Sequence, residues 1–471
     1  MQNYKLAWRN LWRNRRRTMI TSASVFFAIF FALLMRSLQT GSYAYMYRNV
    51  IESYSGYVQL QGENWWDEKT IDNSFPYTSE VRDWLLGDEN VDDVIPRLES
   101  FALAAGGQNT KGVMVLGIDP EKESLLSNIK SRVVQYKLTP EAIASLVNEP
   151  SIPDKTKKLL PVYENACFSG DERLLSDLGL DKNKAEEYIP ILKKYAGFRG
   201  DPIAPGKPGV WLGEKLASYL ELYPGDTLVL LSQGYHGSTA AGKYEIKGLI
   251  KLPTSEISGS VVYLPFDIAQ QLYNSGQNLT SVVLHLKDNE DKSLKSTIER
   301  LSETAPPGTR LIDWYEMNDV IIQQMEADNV SGMFMIGILY LVIAFGIFGT
   351  VLMMTAERRR EFGVLVAIGM QKKKLAAVMS YEMLYIGLLG ILIGALICIP
   401  IILFGVHHPI VFKGELAHMM EEYDFEPKLV FASINLYFLW QILVVLFMVF
   451  LSLIHPLRKI MKLQVVHALR A

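Results

Sequence analysis

The stretch closest to a catalytic fingerprint is Gly237-Ser-Thr-Ala-Ala-Gly242-Lys243-Tyr244, which satisfies G-x-x-x-x-G-K. A phosphate loop of that form needs Ser or Thr next, to hold magnesium, and a helix behind it. Tyr244 cannot do the first job, and Lys243–Ile250 alternates like a strand, so a Gly-rich hairpin is the better reading. His407, His408 and His418 stand near acids but lack ligand spacing on a recognisable element, which favours exposed histidines over a metal site. Cys167 lies in a polar region and Cys398 in an apolar run, so no disulfide framework, CxxC pair or cysteine zinc site is expected. Glu382 is the one ionisable group early in a long apolar run, and such a group is a functional candidate by default. It stands about two turns past Lys374, where it can still face the interface. A structural or coupling role is therefore preferred to a proton relay. With no nucleophile–base pair left, the chain reads as non-catalytic and binds no cofactor of its own.

Glu382 must be positioned by apolar helices. The 471 residues are 49% hydrophobic, yet the mean hydropathy is only +0.13, too polar for a chain lying wholly in lipid. A helix needs about 20 apolar residues to cross the hydrocarbon core. Four segments qualify, at 18–36, 330–354, 375–404 and 433–455. A cleaved signal peptide competes for the first, but Met35-Arg36-Ser37-Leu38-Gln39 follows it instead of a small-residue cleavage site. Small residues recur in the second and third runs, at Gly346 and Gly349 and at Gly387, Gly390 and Gly394. Gly390–Gly394 is a GxxxG, a spacing that lets helix backbones approach closely.

The net charge of −3 is uninformative as a sum, but its distribution sets the orientation. Residues 1–17 carry Lys5, Arg9, Arg13, Arg15, Arg16 and Arg17 without an acid. Segment 355–374 carries Arg358, Arg359, Arg360, Lys372, Lys373 and Lys374 against Glu357 and Glu361, and the tail 456–471 carries Arg458, Lys459, Lys462 and Arg470. Loop 405–432 reverses the balance, with Glu415, Glu421, Glu422, Asp424 and Glu426 against Lys413 and Lys428. Both termini and segment 355–374 are thus expected in the cytoplasm of a multi-pass membrane protein, and residues 37–329 outside it. Tyr4, Trp8, Leu11 and Trp12 recur at helical spacing in segment 1–17, which fits a basic amphipathic helix lying in the interface. A plain positively charged flank is the alternative.

Region 37–329 reads as α+β. Val58-Gln-Leu-Gln, Gly112–Gly117, Thr227–Leu231 and Ser281–Leu286 are β-favouring runs, whereas 121–200 is Lys/Glu-rich and reads as a helical insertion. The flanks continue the helical pattern of the first two spans, with Ile321, Ile322, Met325 and Val330 on one face, as a stalk would. The fold class is a polytopic α-helical membrane protein of four transmembrane helices carrying a large α+β extracytoplasmic domain on a helical stalk.

Segment Thr355–Lys374 is the most specific stretch. It is expected to form a short amphipathic helix whose charges hold it at the surface while Phe362, Leu365, Val366 and Ile368 offer an apolar face to a partner. A cytoplasmic protein docking there would push on the second and third spans. Here the sequence resembles the FtsX-like, MacB-type permeases of ABC transporters. Glu357-Arg358…Glu361-Phe362-Gly363…Leu365…Ala367-Ile368-Gly369, followed by Glu382…Gly387…Gly390, resembles their E-R-x-x-E-[IF]-G…A-[IL]-G element and following span. Ala7-Trp8-Arg9-Asn10-Leu11 is similar to their opening, and Val210–Ala217 with Pro224–Leu228 to their outer-domain LGxxLA…xGDxL. The ending His455-Pro456…Val465-Val466-His467-Ala468-Leu469-Arg470 resembles their tail. It departs at Val465, where Pro is usual, and at Lys459 or Ile460, where Ala is usual.

The resemblance implies a permease subunit working with a cytoplasmic ABC ATPase dimer, where ATP and magnesium would bind, and with a second permease copy or a paralogue. It implies an ATPase-coupling helix at Glu357, Arg358, Arg359, Glu361, Phe362, Gly363, Leu365, Ala367, Ile368 and Gly369. Packing in the spans would fall to Glu382, Gly387, Gly390 and Gly394. Among the branches, a large outer domain on four spans most resembles the LolC/LolE lipoprotein-releasing type, with a periplasmic lipoprotein carrier as a further partner. A regulator of a cell-wall hydrolase or a sensor, and a MacB-like efflux permease, are the alternative roles; nothing suggests nucleic acid. The topology predicts that, with Cys167 and Cys398 replaced by serine, Lys184→Cys reacts with an impermeant maleimide from outside intact cells. Lys373→Cys reacts only after permeabilisation.

Overall fold

The computed structural model describes residues 3–464 apart from 14, 199, 253, 413 and 423–426, and not the side chains of residues 3, 17, 418, 421 and 422. The expected tail motif at Val465–Arg470, the loop charges Lys413, Glu421, Glu422, Asp424 and Glu426, the Arg17 charge and the His418 ring therefore lie outside the described residues. The chain divides into a membrane unit (Met1–Tyr45, Val320–Ile410, Leu429–Ala471) and a large unit (Met46–Asp319, Val411–Lys428).

The membrane unit is built from α1 (Asn3–Arg13), α2 (Arg15–Val50), α3 (Asp319–Glu357), α4 (Arg359–Ala367), α5 (Lys372–His407) and α6 (Leu436–Met461). Of these, α2, α3, α5 and α6 are long and apolar enough to span a bilayer. The 36 residues of α2 and 39 of α3 exceed what a core of about 30 Å needs. Apolar runs at 18–36 and 330–354 are therefore parts of longer helices.

Glycine spacing decides which helices touch. A Cβ added at Gly390 would come within 2.7 Å of the Ser22 carbonyl oxygen, and one at Gly394 within 2.0 Å of Ile29 Cγ2, so the GxxxG brings α5 against α2. A Cβ added at Gly387 would face α6 instead, 3.2 Å from Val449 Cγ1. Gly346 and Gly349 have open space where a side chain would go, so these two glycines of α3 make no close approach within the described chain. That helix is tied to α6 by the Tyr340 hydroxyl, which donates to Gln441 Oε1, and by Ile347 and Val351 in the shared core.

The large unit centres on nine strands, β1 (Val58–Gly62), β2 (Val91–Gly106), β3 (Asn109–Ile118), β4 (Val210–Gly213), β5 (Thr227–Gln233), β6 (Thr239–Ile250), β7 (Val261–Pro265), β8 (Ser281–Leu286) and β9 (Thr309–Asp313). Their order is β9-β1-β8-β2-β3-β7-β4-β6-β5, and β5 returns to pair with β2. The long β2 makes this closure possible. Its first half pairs with β8 and its end, Leu103–Ala105, pairs with β5, while β3 runs along its other edge. The β3/β7 and β4/β6 pairs are parallel and the other pairs antiparallel. Leu98, Ala104, Val115, Leu212, Leu230 and Leu264 fill the interior.

Between β3 and β4 the chain forms short helices from Pro120 to Ala196 around a core of their own, including Tyr136, Leu146, Phe168 and Leu192. Cys167 is buried against the sheet core, and its thiol is pushed up by burial and then by Glu214, which makes it a poor nucleophile. Arg97 of β2 lies wholly inside, with Nε and Nη2 donating to the two Glu123 oxygens at 3.0 and 2.6 Å.

Local motifs resolve as structure. Gly237–Tyr244 lies in the β5/β6 hairpin, with Gly242 opposite Leu230 and no helix after it. Gly213 approaches Ser258 so closely that a Cβ would meet its carbonyl oxygen at 2.0 Å. Gly225 has φ +97°, in a turn closed by the Tyr223 amide donating to Asp226 Oδ2 at 2.7 Å. The LGxxLA…xGDxL element therefore serves the fold. Gly394→Val is expected to destabilise the full-length protein in detergent by about 1–3 kcal/mol through overpacking, while Gly346→Val changes it by less than about 0.5 kcal/mol; thermal denaturation of both variants checks this.

Candidate functional site

The site is the loop joining α3 to α5. Helix α3 ends at Glu357 because Arg358 leaves helical geometry (φ −90°, ψ 3°), and α4 restarts at Arg359. It stops in a Schellman motif: the Gly369 amide donates to Val366 O and the Met370 amide to Leu365 O, with Gly369 at φ +105°. Glycine is required there because any side chain would be strained at that φ.

Arg358 turns inward and is 6% exposed, contrary to the expected surface charge. Its Nη1 donates to Glu382 Oε2 at 2.5 Å, its Nε to Glu361 Oε2 at 3.2 Å, and its guanidinium lies 5.2 Å from the Phe362 ring centre. Glu382 is 4% exposed and so does not face the headgroups. Its second oxygen accepts from Asn10 Nδ2 of α1 at 2.5 Å. Arg13, at the end of α1, reaches Glu361 Oε2 at 2.9 Å. Three helices, α1, α4 and α5, are thus pinned to one chain of polar contacts.

A buried guanidinium and carboxylate each carry a desolvation cost of several kcal/mol, offset only when their hydrogen-bonding capacity is met. The bent entry to α4 supplies this by aiming Arg358 at α5, while the Ala7–Leu11 face of α1 supplies Asn10. Ala7 and Leu11 are buried on either side of Asn10, and the Thr18 hydroxyl donates to Leu11 O at 3.0 Å, closing the α1/α2 corner. Leu11 therefore faces the protein and not the interface, whereas Tyr4, Trp8 and Trp12 are exposed. Trp8 also meets Tyr385 of α5 edge-on at 5.6 Å.

The apolar face of α4 is split differently from the expectation. Phe362 and Gly363 are buried, and Leu365 and Val366 pack as half-buried residues against the core. The face left open is Val364, Ala367 and Ile368, the last 80% exposed, flanked by exposed Glu357, Arg359, Arg360 and Gly369. On a helix of nine residues, a wheel alone cannot tell the inward stripe from the outward one. Asn10 and Arg13 were missed as site residues; a polar Asn between Ala7 and Leu11 was the available signal.

His407 is exposed, with Nδ1 2.8 Å from Leu403 O of its own helix, and no group of three metal-ligating side chains occurs among the described residues.

Residues 333–465 match the family model described as FtsX-like permease C-terminal. An uncharacterised ABC transporter permease of Mycobacterium tuberculosis, Rv0987, is 27% identical over 193 residues, 40% of this chain and 21% of that protein. The lipoprotein-releasing system transmembrane protein LolC of Xylella fastidiosa is 23% identical over 270 residues, 54% of this chain and 62% of LolC. This chain thus spans from about a fifth to under two thirds of those relatives' lengths. The periplasmic region of MacB from Actinobacillus actinomycetemcomitans aligns at a TM-score of 0.30 and 10% identity, covering 59% of this chain and 96% of that one.

Removing one partner strands the other. Arg358→Met or Glu382→Met alone is expected to cost about 3–5 kcal/mol, and the double substitution to cost clearly less than the sum. A double-mutant cycle on thermal stability in detergent measures it.

Proposed function

From the premise that residues 333–465 are an FtsX-like permease C-terminal domain, we propose that the chain is the membrane subunit of an ABC transporter. It carries no nucleotide site; a cytoplasmic ATPase dimer binds ATP and magnesium, and a second permease copy or paralogue completes the assembly. The observation that carries this reading is the division of α4 into two faces. Arg358 and Phe362 fasten one face to α5 and the core, and Val364, Ala367 and Ile368 present the other to solvent. A helix held on one side and apolar on the other suits a lever: an ATPase gripping the open face moves the α5 end with it. Glu357, Arg359 and Arg360 flank the grip.

The work is done by residues 37–329, which the charge distribution places outside the cytoplasm. Release of lipoproteins or similar amphiphilic cargo from the outer leaflet is the role we assign them, supported by the likeness to LolC and by four spans joined to a large domain. Reconstitution with the cognate ATPase in vesicles holding a triacylated protein tests this: ATP-dependent release supports it. Activation of a cell-wall hydrolase without release supports a regulatory permease instead.

Val364→Asp/Ile368→Asp is expected to abolish co-purification of the ATPase while leaving the thermal midpoint of the permease near its native value, because both side chains are exposed. Retained ATPase binding by this variant would refute the lever.

A further inference from the structure

At the opposite end of the membrane unit a second buried cation sits without a counter-charge. Arg36, the last residue of segment 18–36 in α2, is 7% exposed. Its Nη1 donates to Asn329 Oδ1 of α3 at 2.7 Å and to Gln39 Oε1 at 3.2 Å. Its guanidinium lies 4.6 Å from the centre of the Tyr437 ring, at the start of α6. These partners are all neutral, and among the described residues no carboxylate lies within ion-pair distance of Arg36. The contrast with Arg358, which meets two carboxylates, is direct.

A guanidinium withdrawn from water is costly unless an anion joins it. Arg36 follows the last apolar residues of α2, Asn329 precedes the apolar run of α3 and Tyr437 opens α6. All three therefore mark one boundary of the hydrocarbon, the level of lipid phosphates and of aromatic belts. The planar fork of arginine matches phosphate oxygens, and Asn329, Gln39 and Tyr437 fix its orientation.

We propose that Arg36, with Asn329, Gln39 and Tyr437, forms a site for the phosphodiester of a phospholipid in the extracytoplasmic leaflet. The site needs no ATPase, so it goes beyond the transporter reading. It rests on the membrane orientation, which the maleimide labelling reads separately. A bound phospholipid there supplies the missing charge where α2, α3 and α6 meet, and makes the packing of these helices depend on lipid.

The full-length protein in neutral detergent is titrated with dioleoylphosphatidylcholine, dioleoylglycerol or inorganic phosphate, with the thermal midpoint and native mass spectra as readouts. The phospholipid carries no net charge, which suppresses attraction to the basic surface at the other membrane face. It should raise the midpoint and appear as a retained adduct, whereas dioleoylglycerol and inorganic phosphate should do neither. Arg36→Gln should weaken phospholipid binding about tenfold, the loss of one charge-assisted contact. Arg36→Lys, which keeps the charge without the fork, should weaken it less and serves alone if Arg36→Gln does not fold. Native-like phospholipid binding by both variants overturns the proposal. So does equal stabilisation by dioleoylglycerol or by inorganic phosphate, or a loss of self-association in Arg36→Gln without change in lipid response, which would assign the counter-charge to a second copy.

Discussion

The ion pair of Arg358 and Glu382 is the constraint on which the α1/α4 end of the membrane unit depends. A carboxylate at 4% exposure within a spanning helix is tolerable only if its charge and both oxygens are answered. Answering it fixes three things together. The chain must leave α3 at Arg358 in a non-helical turn, α4 must lie where Arg358 can reach α5, and α1 must fold back to bring Asn10 to the second oxygen. The same contact that stabilises the loop therefore sets which stripe of α4 is left outside.

Packing around this pair follows a consistent logic. Small residues appear where backbones must meet: Gly390 and Gly394 against α2, Gly387 against α6, and Gly369 where α4 must end. Where no close approach exists, as at Gly346 and Gly349 on α3, the same residue type faces open space. In the large unit the analogous device is a long strand. Because β2 changes partner from β8 to β5, one continuous sheet closes on itself and still extends to β1 and β9.

Much of this was legible in the sequence, for reasons that differ by element. Spans follow from apolar length. The strands at Val58, Gly112, Thr227 and Ser281 follow from short β-favouring runs bounded by Gly, Asp and Pro, whereas the helix expected over 355–374 shrinks to Arg359–Ala367, with Glu357 closing α3 and Lys372 opening α5. The closure of the sheet was not legible, since strand partners are set by long-range pairing that local pattern does not encode. Nor was the inward turn of Arg358. Three consecutive arginines look alike in a sequence, and only the kink at the end of α3 singles one out. For the same reason Phe362 was assigned to the partner face when it belongs to the core.

The central claim is that α4, α5 and α1 move as one body because Glu382 joins them. The direct measurement is a pulsed spin-label distance between Ile368→Cys on α4 and Arg9→Cys on α1, in the assembled complex with and without trapped nucleotide. The account predicts one narrow distance, unchanged between the two states, that broadens when Glu382→Gln is added. A distance that shifts with nucleotide in the otherwise native chain, or that stays narrow in the Glu382→Gln background, would contradict it.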